Sequence, residues 1–308
     1  MPINLRNALY GIVFILVIGT LSIWVKRIFR PSDADHELLL RTRSWWVMAS
    51  IFIFAIAINR ALGVLFFALV SFHALKEYLA IIPHRDVDKR LLIWFFLVIP
   101  CQYLWVWQAW YGMFIIFIPV YMFLILPLPM ILQGETQGFL KAVGCLHWGV
   151  MTTVFSLSHA AYLLALPNHV NPVANSAGLL LFLVLLTQLN DVMQYVWGNL
   201  LGSVKVTPKV SPNKTLAGVI GGVATTTLLA WFLAPYLTPL QGFEKLGAGL
   251  LIGLGGFVGD VSISAVKRDL GIKDTGNLIP GHGGILDRVD SLTYTAPLFF
   301  HFVYYLHY

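Results

Sequence analysis

Charge is scarce in this sequence. Its 20 Lys and Arg and 14 Asp and Glu make up 11% of 308 residues, where an ordinary soluble domain has about a quarter. Hydrophobic residues reach 58% and the mean hydropathy is +0.78, so the chain reads as an integral membrane protein. Long two-residue alternation is also lacking, which argues against an outer-membrane barrel and for helical spans. The two cysteines, Cys101 and Cys145, lie in apolar runs without metal-ligand spacing, so they supply no zinc box and say nothing about redox compartment. Gly-x-x-x-x-Gly-Lys-Ser/Thr and Gly-x-Ser-x-Gly are missing, which removes the P-loop and the hydrolase elbow. With no repeat and no linker, residues 1–308 form one membrane domain.

What is present is a series of apolar runs near 8–25, 91–108, 110–132, 142–166, 177–197, 215–236, 246–262 and 291–307. Residues 45–82 are too long for one span, and Asn59-Arg60 divides them into two short or tilted ones. The expected fold is therefore all-α: a polytopic helical bundle with about ten transmembrane helices. The first run is followed by Lys26, Arg27 and Arg30, not by a small-residue cleavage site, so an uncleaved span is expected. Alternating the spans puts the connectors 26–43 and 83–90, Lys141, Lys205, Lys209, Lys214 and the Lys267–Arg288 segment on one side. Including Lys76, that side holds 17 of the 20 Lys and Arg. The positive-inside rule assigns it to the cytoplasm. The basic balance thus reflects topology, and no nucleic-acid partner is expected. A bacterial inner-membrane location follows as the expectation, with both termini outward.

Residues 260–290 hold nine of the 34 charges: Asp260, Lys267, Arg268, Asp269, Lys273, Asp274, Asp287, Arg288 and Asp290. Asp260 still belongs to the apolar run. A carboxylate at that depth costs roughly 2.5–3.5 kcal/mol, so it faces a cavity, a metal or a partner, or else marks a snorkelling helix end. On a continuous helix, Asp260, Ser264 and Lys267 share one face. The glycines around His282 in "PGHGG" suit close approach to an anion or a plain turn. Asp287 and Asp290, three residues apart beside Arg288, lie on one helical face, with capping as the alternative for Asp287. Carboxylates among basic groups fit a phosphate-bearing substrate held through Mg²⁺. The glycine clusters at 218–222 and 253–259 read mainly as close helix packing.

The segment "SAVKRDLGIKDTGNLIPGHGGILDRVD" (264–290) resembles the signature of the phosphatidate cytidylyltransferases, or CDP-diacylglycerol synthases. "KVTPKVSPNKTLAG" (205–218) and "NDVMQYVWGN" (190–199) are similar to two upstream segments of that family, with Gln194, Asn199 and Ala217 as departures. The resemblance implies CTP and phosphatidate as substrates among membrane lipids, and CDP-diacylglycerol and pyrophosphate as products. It also implies Mg²⁺ as cofactor, with a second cation and a homodimer left open. Asp260 and Asp287 take the metal role, with Lys267, Arg268 and Asp191 beside them as catalytic residues. Ser211, Lys214, Ser264, Lys273, Asp274, His282, Gly283, Gly284, Arg288 and Asp290 take nucleotide contacts.

The helices of 177–308 then carry the CTP and metal site at the cytoplasmic face, and those of 1–176 form a scaffold and lipid groove. In that half, Glu77 and Arg60 either line the groove or anchor at the interface, and His73, His147 and His159 read as interhelical hydrogen bonders. Two rival readings are a CTP-dependent kinase acting on a polyprenol- or phytol-like alcohol, and a transporter. The complete His-Gly-Gly, Asp-Arg and Asp run disfavours the first; collection of the charges at one end disfavours the second.

Overall fold

Peptide groups in hydrocarbon must find partners within their own segment, and apolar runs of this length do so as helices. The computed structural model describes residues 1–29, 34–83, 85, 88, 91–281 and 283–308, with side chains throughout except at 34–37. Its helices are α1 (Ile3–Phe29), α2 (Ala34–Ile58), α3 (Arg60–Ile81), α4 (Leu92–Gln108), α5 (Tyr111–Leu132), α6 (Phe139–Leu163), α7 (Asn175–Leu201), α8 (Leu216–Leu237), α9 (Glu244–Asp269), α10 (Leu286–Val289) and α11 (Leu292–His307). α5 and α6 each contain a π-helical turn, at Phe117–Met122 and Met151–Ser156. Among the described residues, α1–α3 and α5–α9 are the eight helices long and apolar enough to cross a membrane, and α4 is a shorter apolar helix. The chain is a polytopic helical membrane protein.

Asn59 divides the long apolar stretch as expected. It leaves the helical region (φ −163°, ψ 166°), and its side chain accepts the Leu62 N–H at 2.9 Å as the cap of α3. The flanking helices are not short, however. α2 begins at Ala34, so Arg41 and Arg43 stand on a helix where a connector was expected, and Lys26 and Arg27 belong to the last turn of α1. The apolar Leu38-Leu39-Leu40 run lets the helix continue, and Trp46 Nε1 donates to Thr20 Oγ1 at 2.9 Å to join α2 to α1. Arg30, Lys89 and Arg90, which the charge argument also used, lie outside the described residues.

A second difference is a small antiparallel hairpin, β1 (Lys205–Thr207) and β2 (Ser211–Thr215), inside the expected all-α bundle. Pro208 and Pro212 forbid a helix there, and the β-branched Val206, Thr207 and Val210 suit an extended backbone. The hairpin ends on Thr215, whose hydroxyl accepts the Gly218 N–H at 3.1 Å and starts α8. Lys214 is thereby fixed two residues before α8, next to its capping Thr215.

α7, α8 and α9 pack in succession, and α11 packs on α9. The glycine clusters serve this packing. A Cβ at Gly249 would meet the Thr227 backbone at 2.5 Å, and one at Gly259 would meet the Asp290 carbonyl at 2.6 Å. Small residues thus bring α9 into backbone contact with the start of α11 and carry Asp260 there with it.

Candidate functional site

Two lysine–carboxylate pairs organise the charged end of α9. Lys214 Nζ, from β2, lies 2.5 Å from Asp260 Oδ2 and donates to Gln194 Oε1 at 2.9 Å. Lys267 Nζ lies 2.8 Å from Asp287 Oδ1 and is nearly as buried as its partner. The helical face expected for Asp260, Ser264 and Lys267 exists, and Ser264 Oγ donates to Asp260 Oδ1 at 3.3 Å. The two ends of that face turn to different partners, so acid and amine on α9 do not pair with each other.

A third group of charges lies beside the first pair. Ser291 Oγ donates to Asp191 Oδ1 at 3.0 Å, which links α7 to the segment before α11. Asp290 follows α10, and desolvation together with the carboxylates of Asp260 and Asp191 raises its carboxyl well above the ordinary range. Asp191, Asp260 and Asp290 thus press like charges together, near Lys214 and Arg288. Arg288 Nε is buried without a hydrogen-bond partner among the described residues. Asp287 and Asp290 divide between two sets of partners and do not act as one pair.

Asp287 belongs to the glycine-rich loop. Its Oδ2 accepts the Thr275 N–H at 2.8 Å, the Thr275 hydroxyl at 3.0 Å and the Gly284 N–H at 3.0 Å. Burial pushes this carboxyl up, but Lys267 and the Gly284 and Thr275 N–H groups outweigh it and hold it below the ordinary range. Gly283 (φ +81°) occupies the left-handed region next to it, and a Cβ there would come within 2.9 Å of Asp287 Oδ2. Asp274 is exposed and lies beside Gly283; Lys273 is exposed as well. His282 lies outside the described residues. Arg268 is exposed, and its guanidinium donates to the carbonyls of Val210 (3.2 Å) and Ile272 (2.9 Å). Ser211 is paired with Thr207 in the hairpin. Arg268 therefore braces the hairpin against the end of α9.

Sequence reasoning left Glu77 between two surface roles, and Thr275 went unnoticed. Glu77, on α3, accepts the N–H groups of Ile285 (2.9 Å) and Leu286 (2.8 Å) and the Thr275 hydroxyl (3.2 Å). A lone acid in an apolar helix was the visible signal; its partners lie some 200 residues away in sequence. Arg60, at the other end of the same helix, donates to the carbonyls of Val106 (2.8 Å) and Trp107 (2.6 Å), capping the C-terminal end of α4. His159 differs from expectation. It bonds the Phe155 carbonyl of its own helix at 2.8 Å, surrounded by Phe114, Phe155, Phe300 and His301. Aromatic packing on every side leaves its ring no interhelical acceptor.

Beside the acids a groove of about 690 Å³ opens between α6 and α11, lined mainly by apolar side chains including Leu140, Val143, Trp148, Met151, Pro297 and Leu298. Its Thr293 and Tyr294 touch the charged region: Thr293 Oγ1 donates to the Asp290 carbonyl at 2.6 Å and Ser262 Oγ to Tyr294 OH at 3.2 Å. The groove thus adjoins the backbone of Asp290 and the Ser262 turn of α9.

Among the described residues, no three His, Cys, Asp or Glu side chains converge closely enough to hold a metal ion by themselves. Mg²⁺ does not require such a cage, because it takes one or two protein carboxylates and completes its shell with phosphate oxygens and water. Asp290, raised by desolvation and then by the neighbouring Asp260 and Asp191 carboxylates, marks the crowded donor chemistry that such a cation relieves.

The sequence profile of the cytidylyltransferase family matches residues 39–306. The uncharacterized protein YnbB of Escherichia coli is 47% identical over 275 residues, covering 89% of this chain and 90% of its own length. The phosphatidate cytidylyltransferase of Synechocystis is 46% identical over 120 residues, 37% of this chain and 39% of its own. That of Haemophilus influenzae is 38% identical over 133 residues, 42% of this chain and 46% of its own. The match to the two named transferases thus covers less than half of each.

Proposed function

This chain belongs to the cytidylyltransferase family, a nucleotidyltransferase class, and we propose that it transfers the cytidylyl group of CTP to phosphatidate. The products are CDP-diacylglycerol and pyrophosphate. The observation that carries this reading is the meeting of Asp191, Lys214, Asp260, Lys267, Asp287 and Arg288, from four separate elements, at one end of the bundle beside an apolar groove. One substrate is water-soluble and polyanionic. The other has acyl chains that need hydrocarbon, which the groove between α6 and α11 supplies.

An oxygen of the phosphatidate phosphate attacks the α-phosphorus of CTP in line. A new Pα–O bond forms, the bond from Pα to the bridging oxygen of the β-phosphate breaks, and pyrophosphate leaves. We assign Asp260 and Asp287 to hold Mg²⁺, which when bound neutralises triphosphate oxygens and the charge of the leaving group. Lys214 and Lys267 turn from these carboxylates toward phosphate oxygens as the anion arrives. The unpartnered Arg288 Nε–H adds a directional donor. Asp191 and Asp290 set the local field, and the loop through Gly283 and Gly284 faces the nucleotide. We assign the site to the cytoplasmic face of an inner membrane, because alternating the apolar runs of the sequence puts 17 of its 20 Lys and Arg on the side of this site. The helices of 177–308 carry its chemistry.

The test is incubation of purified protein with Mg²⁺, a panel of lipid phosphates and CTP labelled at the α-phosphorus, reading pyrophosphate and labelled lipid together. Stoichiometric CDP-lipid and pyrophosphate are expected. Transfer of label from the γ-position to a lipid alcohol would overturn the reaction assigned here.

A further inference from the structure

We propose that Glu77, in the N-terminal half, is a positioning residue that sets the nucleotide loop and, through it, Asp287; this rests on the reading above. Residues 275–285 contain four glycines, Gly276, Gly281, Gly283 and Gly284, and such a backbone loses much freedom on being fixed. Among the described residues of the loop, the backbone closes on itself through Ile279 N–H to the Gly283 carbonyl at 2.9 Å. Ser44 Oγ on α2 donates to the Pro280 carbonyl at 2.8 Å, and two carboxylates on either side of Thr275 hold the two ends of the loop.

Asp287 holds the loop from within its own segment. Glu77 holds it from α3, a helix whose neighbouring Ala74, Leu75, Tyr78 and Leu79 are buried and whose Tyr78 hydroxyl is tied to the Cys145 carbonyl at 2.9 Å. Both Glu77 oxygens are used: Oε1 for Ile285 N–H, Oε2 for Leu286 N–H and the Thr275 hydroxyl. That hydroxyl lies between Glu77 Oε2 (3.2 Å) and Asp287 Oδ2 (3.0 Å) and has one proton for the two. The carboxylates thus share a donor, and displacing one repositions the other. Gly276 and Gly284 lie against the Glu77 carboxylate, where a Cβ on Gly284 would collide with Oε2. Loop and carboxylate are packed as one unit, so a rigid membrane helix fixes where the loop presents its backbone.

The experiment compares full-length wild type, Glu77→Gln and Thr275→Val in detergent, measuring CTP binding with Mg²⁺ and amide exchange of residues 275–287. Glu77→Gln keeps the shape but substitutes an amide N–H₂ for one of the two acceptor oxygens. The Kd for CTP of the folded fraction is expected to rise about tenfold, the worth of one charge-assisted hydrogen bond. Exchange at residues 284–286 is expected to quicken while the helices stay protected. Thr275→Val should shift both readouts in the same direction, and it decides the matter if Glu77→Gln does not fold. A purely structural Glu77 would lower the folded fraction and leave its Kd unchanged, which overturns the inference. A wild type that binds no CTP overturns the nucleotide reading together with it, whereas wild-type binding with unaltered variants overturns this inference alone.

Discussion

Lys267 Nζ lies 2.8 Å from Asp287 Oδ1 and joins the last turn of α9 to α10 across 20 residues of chain. Both groups are nearly withdrawn from solvent, so removing either charge leaves the other buried and alone, at a cost of about 3–5 kcal/mol. Asp287→Asn and Lys267→Met are each expected to lower the melting midpoint. The double variant Asp287→Asn/Lys267→Met is expected to regain much of that loss yet stay inactive, because the proposed metal ligand is gone. Thermal melts in detergent beside CTP turnover check this, and turnover in the double variant would remove Asp287 from the chemistry.

Asp290 gives a pH prediction. Its carboxyl is raised in the folded chain, so it stays protonated there while the unfolded chain ionises near pH 4. Its contribution to stability is complete below that value and is lost as pH climbs toward the folded value. Wild-type stability relative to Asp290→Asn should therefore fall as pH rises from about 4, in buffers free of divalent cations. A difference independent of pH would show that the carboxylates do not interact as described.

Lys214 bridges Asp260 and Gln194. Lys214→Ala should cost roughly 10²–10³-fold in turnover, the scale for losing one preorganised charge-stabilising donor. Gln194→Ala removes only the neutral partner and should cost about tenfold or less. Steady-state rates at saturating CTP compare the two, and equal losses would mean that Gln194 does more than hold the lysine.

The groove between α6 and α11 has open space at Gly144, where an added Cβ meets nothing within 4 Å. Gly144→Leu fills it. The expected result is a severalfold higher KM for long-chain phosphatidate with an unchanged Kd for CTP, measured in mixed micelles. Equal KM for short and long acyl chains in both proteins would place the lipid elsewhere.

Much of the fold was legible because hydrocarbon allows few solutions: runs of about 20 apolar residues become helices, and Asn59 marks the end of one of them, whereas Arg41 and Arg43 fall inside α2. The hairpin around Lys214 was less legible, since eleven residues with two prolines carry only a weak strand signal. The charges of 260–290 marked where buried ion pairs gather, and the spacing of Asp260, Ser264 and Lys267 announced a shared face. Spacing could not tell that Lys267 crosses to Asp287 while Asp260 takes Lys214, nor that Asp287 and Asp290 part company.

The sequence by itself determined a helical membrane protein with its ionic chemistry gathered at one end, because solvent transfer energies act residue by residue along the chain. Only the tertiary structure decided which charges pair, which carboxylates crowd together, and that Glu77 on α3 reaches a loop some 200 residues later. Ion pairs and buried hydrogen bonds depend on distances of a few ångströms between elements, and helix packing sets those distances.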